Sequence, residues 1–530
     1  MKRRELLSLA AATTLLGACD AARPELQGGW VGASDERGHR LRQPLPLPQG
    51  LAGGTPKRCH TLIIGAGVSG LACARTLKRS GLDDFALLEL EDQAGGNSRG
   101  HQMAGMACPL GAHYLPLPGK DSPEVYRLLE DLGLVRQELG RAVFDERHLC
   151  HSPQERLFFE GQWHEGLLPP ALKPETRKQY LGFAAAVRRA QKELGFAMPT
   201  HRAPWTAGHQ ALDAQTFANW LEHQGLNDSQ LRWYLDYCCR DDFGAPAGEV
   251  SAWAGLHYFA SRHGFHPPGD ETQEREAVLT WPQGNAFLTQ QMAAELGPHL
   301  HCGRSVLKIE GGSGKQGFEV WAWNEAQQEA ERWQARQLVL ATPLFIAQKL
   351  LGRGVSAALD DAAKLMSYAP WLVANLQTRG PLMQRVGAAP SWDNVVYGSA
   401  ALGYVDATHQ SLRPDQGATV LTAYWALPAS QRASLLKDSW QQWSTRVLQE
   451  LATVHPDLGE QLQAVALMRW GHAMSIPRPG VRGAPALRAL ANSQTGRPDL
   501  HFAHADLSAY SVFEEAYTHG AKLAGRLRRG

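Results

Sequence analysis

Arg58-Cys59-His60-Thr61-Leu62-Ile63-Ile64-Gly65-Ala66-Gly67-Val68-Ser69-Gly70-Leu71-Ala72-Cys73-Ala74-Arg75-Thr76-Leu77 is the stretch that decides the fold. Arg58 to Ile64 has the apolar, β-branched content of a short buried parallel strand. It runs directly into a G-x-G-x-x-G turn, and Val68 and Ser69 open a helix that Gly81 ends. Phe85 to Leu88 predict a second strand, with Glu89 at its C-terminal end about 20 residues past the glycines. Gly65 permits the tight turn, Gly67 lets backbone approach a pyrophosphate, and Gly70 allows close packing of helix on strand. The helix N-terminus offers free N–H groups and partial positive charge to phosphates. Glu89 would accept hydrogen bonds from the adenosine ribose and would repel a 2′-phosphate, which disfavours NADP. A lone glycine motif is weak, but here strand, helix, second strand and acid fall in register.

Outward from that unit, the chain has 530 residues, 44% apolar and 20% charged, a globular composition too long for one simple core. With 53 basic and 52 acidic residues the formal charge is +1, and no basic run interleaves with aromatics, so a nucleic-acid partner is not expected. At the N-terminus, Lys2, Arg3 and Arg4 precede an apolar stretch, Leu6 to Leu16. That stretch is shorter than the roughly 20 residues a membrane-spanning helix needs. Leu16-Gly17-Ala18-Cys19 resembles a bacterial lipobox with Cys19 as the lipid attachment site, and Arg3-Arg4 resembles a twin-arginine export signal. A plain secretory signal with a chance cysteine is the alternative. Asp20 resembles an inner-membrane retention signal, so the implied place is the periplasmic face of the inner membrane. Residues 1–19 are then a signal peptide and 20–57 a flexible tether. Beyond Cys19, the seven remaining cysteines show no C-x-x-C spacing, which argues against a metal site and a full disulfide framework. Cys238-Cys239 reads as buried thiols, with a strained vicinal disulfide as the alternative.

Gln93-Ala94-Gly95-Gly96-Asn97-Ser98-Arg99-Gly100 follows the acid and resembles the second glycine motif of the flavin-dependent amine oxidase superfamily, which spans amine oxidases, protoporphyrinogen oxidases and phytoene desaturases. Asn97 stands where arginine is usual. Leu110-Gly111-Ala112-His113-Tyr114 resembles that family's stretch beside the isoalloxazine. Val306 matches the residue whose backbone meets adenine. Asp499 to Asp506 and Ser511 to Gly520 resemble the closing motif, with Asp506 on the ribityl chain and Val512 and Phe513 opening the last helix. His504 and Glu515 replace glycines there. The resemblance implies non-covalent FAD and a Rossmann-like α/β domain of the glutathione-reductase type. That domain is assembled from residues 58–115, 275–345 and 490–530. An α+β substrate domain would come from two inserts, 116–274 and 346–489.

The resemblance further implies an oxidoreductase that passes hydride from a small amine, possibly a polyamine, to flavin N5 and then electrons to oxygen or a membrane quinone. Alternatives are a desaturase-like enzyme acting on a C–C bond and a non-catalytic flavin-binding envelope lipoprotein. His113, Tyr114, Trp470 and His472 are the residues placed nearest the ring, with histidine as the candidate proton acceptor or a plain wall residue. Many amine oxidases carry a lysine on a substrate-domain strand, and Val373 or a neighbour falls there. Trp392, Asp393, Asn394 and Tyr404 form a further polar–aromatic cluster, either for substrate recognition or as a structural turn.

Overall fold

The computed structural model describes residues 26–42, 55–262, 264–267, 277–312, 317–407, 409 and 417–528. The signal segment and Cys19 lie outside the described residues.

Lys57–Ile64 lies at the centre of a seven-stranded sheet because all four of its last residues are buried between two layers. It pairs in parallel with Phe85–Leu88 on one side and with the end of Glu329–Leu340 on the other. Leu338, Val339 and Leu340 also pair in parallel with Leu500–Phe502, so strands from three distant parts of the chain meet beside the glycine turn. Phe318–Asn324 and Arg304–Gly311 extend the sheet antiparallel from the first half of the long strand. The helix Val68–Arg79 packs on this sheet, and the last helix, Phe513–Leu527, packs on that helix. Their approach depends on Gly520, where a Cβ would lie 2.0 Å from the Ser69 carbonyl oxygen.

A second sheet has eight strands, with Tyr368–Thr378 inside it between Leu462–Ser475 and Thr419–Ala426. Alternation along this strand sorts its side chains. Trp371 and Val373 join a core formed with the helices Pro174–Glu193, Ser229–Phe243 and Ala252–Ala260. Leu372, Ala374 and Leu376 join the opposite core, against Trp443 and Val447 of the helix Trp440–Leu451. Both faces are covered, which is why the strand is largely apolar and carries no charge, its buried Asn375 being hydrogen-bonded to Pro109 O and Thr422. The architecture is thus mixed α/β, a nucleotide-type sheet domain joined to a helix-covered sheet.

One expectation is corrected. Residues 26–42 are not a tether: Gln27–Trp30 forms the edge strand of the eight-stranded sheet, parallel to Ala464–Leu467, and Asp35–His39 is a short helix. Composition misled here, since two of the glycines that suggested flexibility, Gly28 and Gly32, fit tight contacts. Gly28 has φ +141° and a Cβ on it would strike the Val465 carbonyl oxygen at 1.8 Å. Cys238 and Cys239 are separate buried thiols.

Candidate cofactor and substrate cavities

The glycine turn is built as its sequence requires. Gly65 has φ +99°, and a Cβ there would lie 2.7 Å from the Ala341 oxygen. A Cβ on Gly70 would lie 1.9 Å from the Gly65 oxygen. Gly67 differs: only Gly96 Cα, at 3.9 Å, would meet its Cβ, so bare backbone here serves the cavity and not the packing. Gly67 heads the helix without a capping side chain, leaving first-turn N–H groups for an anion. Glu89 is fixed by two amides, accepting from Ala66 N–H at 2.7 Å and Glu91 N–H at 2.9 Å. Burial pushes its carboxyl up, against those two hydrogen bonds.

The second glycine motif packs directly on the first. Gly95 donates to the Ala66 carbonyl at 2.8 Å, and Gly96 takes φ +56° where its Cα faces Gly67. Ala112 donates to the Asn97 carbonyl at 2.9 Å, and Asn97 Nδ2 donates to Ala473 O at 2.5 Å. Asp506 is buried, and its Oδ2 accepts from Leu344 N–H at 2.9 Å and Tyr368 O–H at 2.6 Å. Its Oδ1 has no assigned hydrogen bond among the described residues; it lies 3.2 Å from His504 Nδ1, the atom that accepts the Asp506 amide at 3.1 Å.

These groups surround a cavity of about 410 Å³. Of the expected cofactor residues, Gly65, Gly67, Val68, Ser69, Glu89, Gly95, Gly96, Asn97, Ser98, Ala112, Val306, Asp506, Val512 and Phe513 all line it. Gly70 packs behind the turn, and Gly111 lines a neighbouring cavity. The open helix end, the glycine cradle and a buried carboxylate oxygen awaiting a donor fit a dinucleotide with hydroxyl groups. FAD answers to that description: Gly67 and the helix N-terminus would hold its pyrophosphate, Glu89 and Asp506 its hydroxyls. Neither cavity includes a cysteine in its lining. Arg37, Gly38 and Leu41, from the supposed tether, also line the first cavity; no local sequence signal pointed to them.

The neighbouring cavity, about 140 Å³, shares Asn97, Ala112, Trp470, Ala473, Val512 and Phe513 with the first. Tyr114, Trp371, Val373, Tyr424 and Met474 make its walls largely apolar. His113 stacks on Tyr424 at 4.5 Å, and Trp470 Nε1 donates to Leu110 O at 2.7 Å. Burial lowers His113 to about 3 and His472 to about 4, so neither ring takes a proton near neutral pH as the sequence reading allowed. His472 is also not in this cavity; it lies against Phe345 and lines the first one.

Acidic groups unforeseen from sequence enter instead. Asp241, Asp242 and Glu514 line the cavity with Arg262. Asp242 accepts from the Tyr510 hydroxyl and from Arg262 Nη2. Asp241, partly exposed and lining the cavity, has no hydrogen-bond donor among the described residues, although Arg262 and Arg240 act on it through charge. Burial, then the neighbouring Asp242, pushes it up to about 7, and burial does the same to Glu514. Asp393 is pushed up by burial and by Asp241, and Trp392 beside it packs on His113 at 5.4 Å. Asn394 and Tyr404 turn the other way: Asn394 accepts from Arg156 Nε at 2.5 Å, and the Tyr404 hydroxyl meets His455 Nε2 at 2.6 Å. The polar–aromatic cluster therefore splits: Trp392 packs behind the cavity's His113 and Tyr114, while Asn394 and Tyr404 enter a structural network. Glu515 likewise faces away, accepting from Thr200 N–H and from Ser508 Oγ at 2.6 Å.

A family model described as flavin containing amine oxidoreductase matches residues 68–528. The chain is 25% identical over 299 residues to an L-amino acid dehydrogenase of Synechocystis sp., covering 55% of this chain and 57% of that protein. It is 28% identical over 303 residues to flavin-containing amine oxidase B of Homo sapiens, covering 55% and 52% respectively. The chain thus spans about half the length of these curated relatives. A solved structure of putrescine oxidase bound to putrescine matches with TM-score 0.66 at 18% identity, over 90% of this chain and 100% of that one. Cyclohexylamine oxidase from Brevibacterium oxydans gives TM-score 0.64 at 18% identity, over 89% and 99%. At such identity these structures speak for the fold alone.

Proposed function

Because the chain belongs to the flavin containing amine oxidoreductase family, we propose that this flavoprotein oxidises an amine carrying a second cationic group, a diamine or polyamine. The observation that supports the reading is the Asp241 carboxylate, which lines an aromatic-walled cavity beside the cofactor cradle and has no hydrogen-bond donor among the described residues. A buried carboxylate without a partner is costly, and an ammonium group relieves that cost. Bound FAD, held non-covalently, supplies the hydride acceptor. Tyr114, Trp371, Tyr424 and Trp470 pack on the aliphatic chain and exclude water. Asp241 holds the distal ammonium. Glu514, next in sequence to Phe513, which lines both cavities, takes the proton from the reacting nitrogen, a task suited to a carboxyl near 7. Carbon–carbon desaturation of an apolar chain is disfavoured, since such a chain would bury these carboxylates uncompensated.

The test is anaerobic mixing of purified holoenzyme with matched diamines and monoamines, followed at the flavin absorbance. Diamines should bleach the flavin faster than monoamines of equal length. Equal rates, or bleaching only by apolar alkenes or alkanes, would reject the reading. Lipidation at Cys19, residence on the periplasmic face of the inner membrane, and oxygen or quinone as acceptor belong to the same proposal. The anchor and its location rest on the N-terminal sequence and are checked by fractionating cells that express the Cys19→Ser variant, and the acceptor by following reoxidation of the reduced flavin with oxygen and with a soluble quinone.

A further inference from the structure

We infer that residues 30–41 are a working part of the flavin site, a clasp whose Arg37 neutralises Glu91 so that an anionic dinucleotide can lie against that wall. The segment is seated at both ends. On the eight-stranded sheet, the Arg469 guanidinium covers the Trp30 ring at 4.7 Å and donates to Asp35 at 2.8 Å. Gly32, at φ +85°, fits where a Cβ would meet Met468 Sδ at 2.5 Å. On the nucleotide sheet, Arg40 pairs with Glu325 and lies over Trp323. Between these anchors, Ser34 N–H donates to Glu91 Oε1 at 3.0 Å and Arg37 Nη1 to Glu91 Oε2 at 2.9 Å. Ala33, Arg37, Gly38 and Leu41 reach the cavity itself.

The charge arithmetic explains why this matters. Glu89 and Glu91 both line the cavity, two carboxylates on a wall that must face a pyrophosphate. Glu89 is held by amides and keeps its acceptor capacity for hydroxyls. Glu91 has no such use; Arg37 is its direct partner, and Arg99 reaches it only at 3.8 Å. Remove Arg37 and a half-compensated carboxylate repels the cofactor across a low-dielectric cavity. The clasp also ties the two sheets together beside the cavity.

The test reads FAD affinity directly, by fluorescence quenching as FAD is titrated into the deflavinated full chain. Arg37→Met should raise the Kd by about tenfold or more. Arg37→Met with Glu91→Gln should return most of that loss, because the repelling charge goes with its partner. Glu36→Ala, an exposed change on the same turn, should leave the Kd unaltered. A single Arg37→Met variant that binds FAD within about twofold of the parent overturns the inference. So does a double variant as weak as the single one. Should the single variant fail to fold, the double variant against the parent, and flavin release from the purified holoprotein at rising salt, still decide it: a salt-insensitive release rate overturns the charge argument.

Discussion

The cofactor cradle and the cavity beside it are lined by some of the same residues yet are made in opposite ways. The cradle is backbone: glycines at 65, 67, 95 and 96, a helix end and amides gripping Glu89. The cavity is side chains, with Asp241 from one helix, Trp371 and Tyr424 from two strands of another sheet, and Glu514 from the last helix. A backbone site needs consecutive residues, whereas a side-chain site is gathered from wherever the chain returns.

That contrast can be broken at its strongest point with two glycines three residues apart. Gly70→Ala places a Cβ against a backbone oxygen and should cost about 3 kcal/mol, read as a lowered midpoint of denaturant unfolding. Gly67→Ala meets only Gly96 Cα, at an ordinary 3.9 Å, so the melting temperature of the flavin-free chain should hold while FAD affinity falls. Equal loss of stability in both would show that Gly67 serves packing.

On the cavity side, Asp241→Asn should lower kcat/KM for a diamine by about 30- to 100-fold and for a monoamine far less. A uniform loss would remove the ammonium assignment. The pH dependence sharpens this further. Asp241 and Glu514 ionise near 7, so kcat/KM for a cationic diamine should rise as pH rises through about 7. The limb should simplify in Asp241→Asn and again in Glu514→Gln; an unchanged profile in both would assign it elsewhere.

The smallest effect concerns stability. His113 and His519 are held at about 3 by burial, while an unfolded histidine titrates near 6.5. The unfolded chain therefore binds protons first on acidification; stability from these rings is complete above 6.5 and is lost as pH falls toward 3. Asp241 and Glu514 act oppositely between about 4 and 7, since their folded forms hold the proton longer. His519→Gln should lose less melting temperature than the parent between pH 7 and pH 5.

Much of the cradle was legible because its chemistry is local. Strand, turn, helix, second strand and Glu89 occur in one run, and the closing segment announced Asp506 by its strand and helix. The acids of the cavity were not legible: Asp241-Asp242 reads as the polar end of any helix, and only the tertiary fold shows that both line a cavity beside the cofactor cradle. Whether the histidines were proton acceptors or wall residues stayed open in the sequence, because their proton affinity depends on burial by residues distant in sequence. The segment 26–42 was misread because glycine signals both freedom and close approach, and neighbours alone decide which.

The amino-acid sequence by itself determined that this chain makes a βαβ dinucleotide unit, since dihedral freedom, helix ends and strand periodicity act within a few residues of one another. Which carboxylates share a cavity, which ring stays neutral, and that residues before the first nucleotide strand line the cofactor cavity were settled by packing in three dimensions. Desolvation and Coulomb interaction depend on distance in space, and the chain order does not contain those distances.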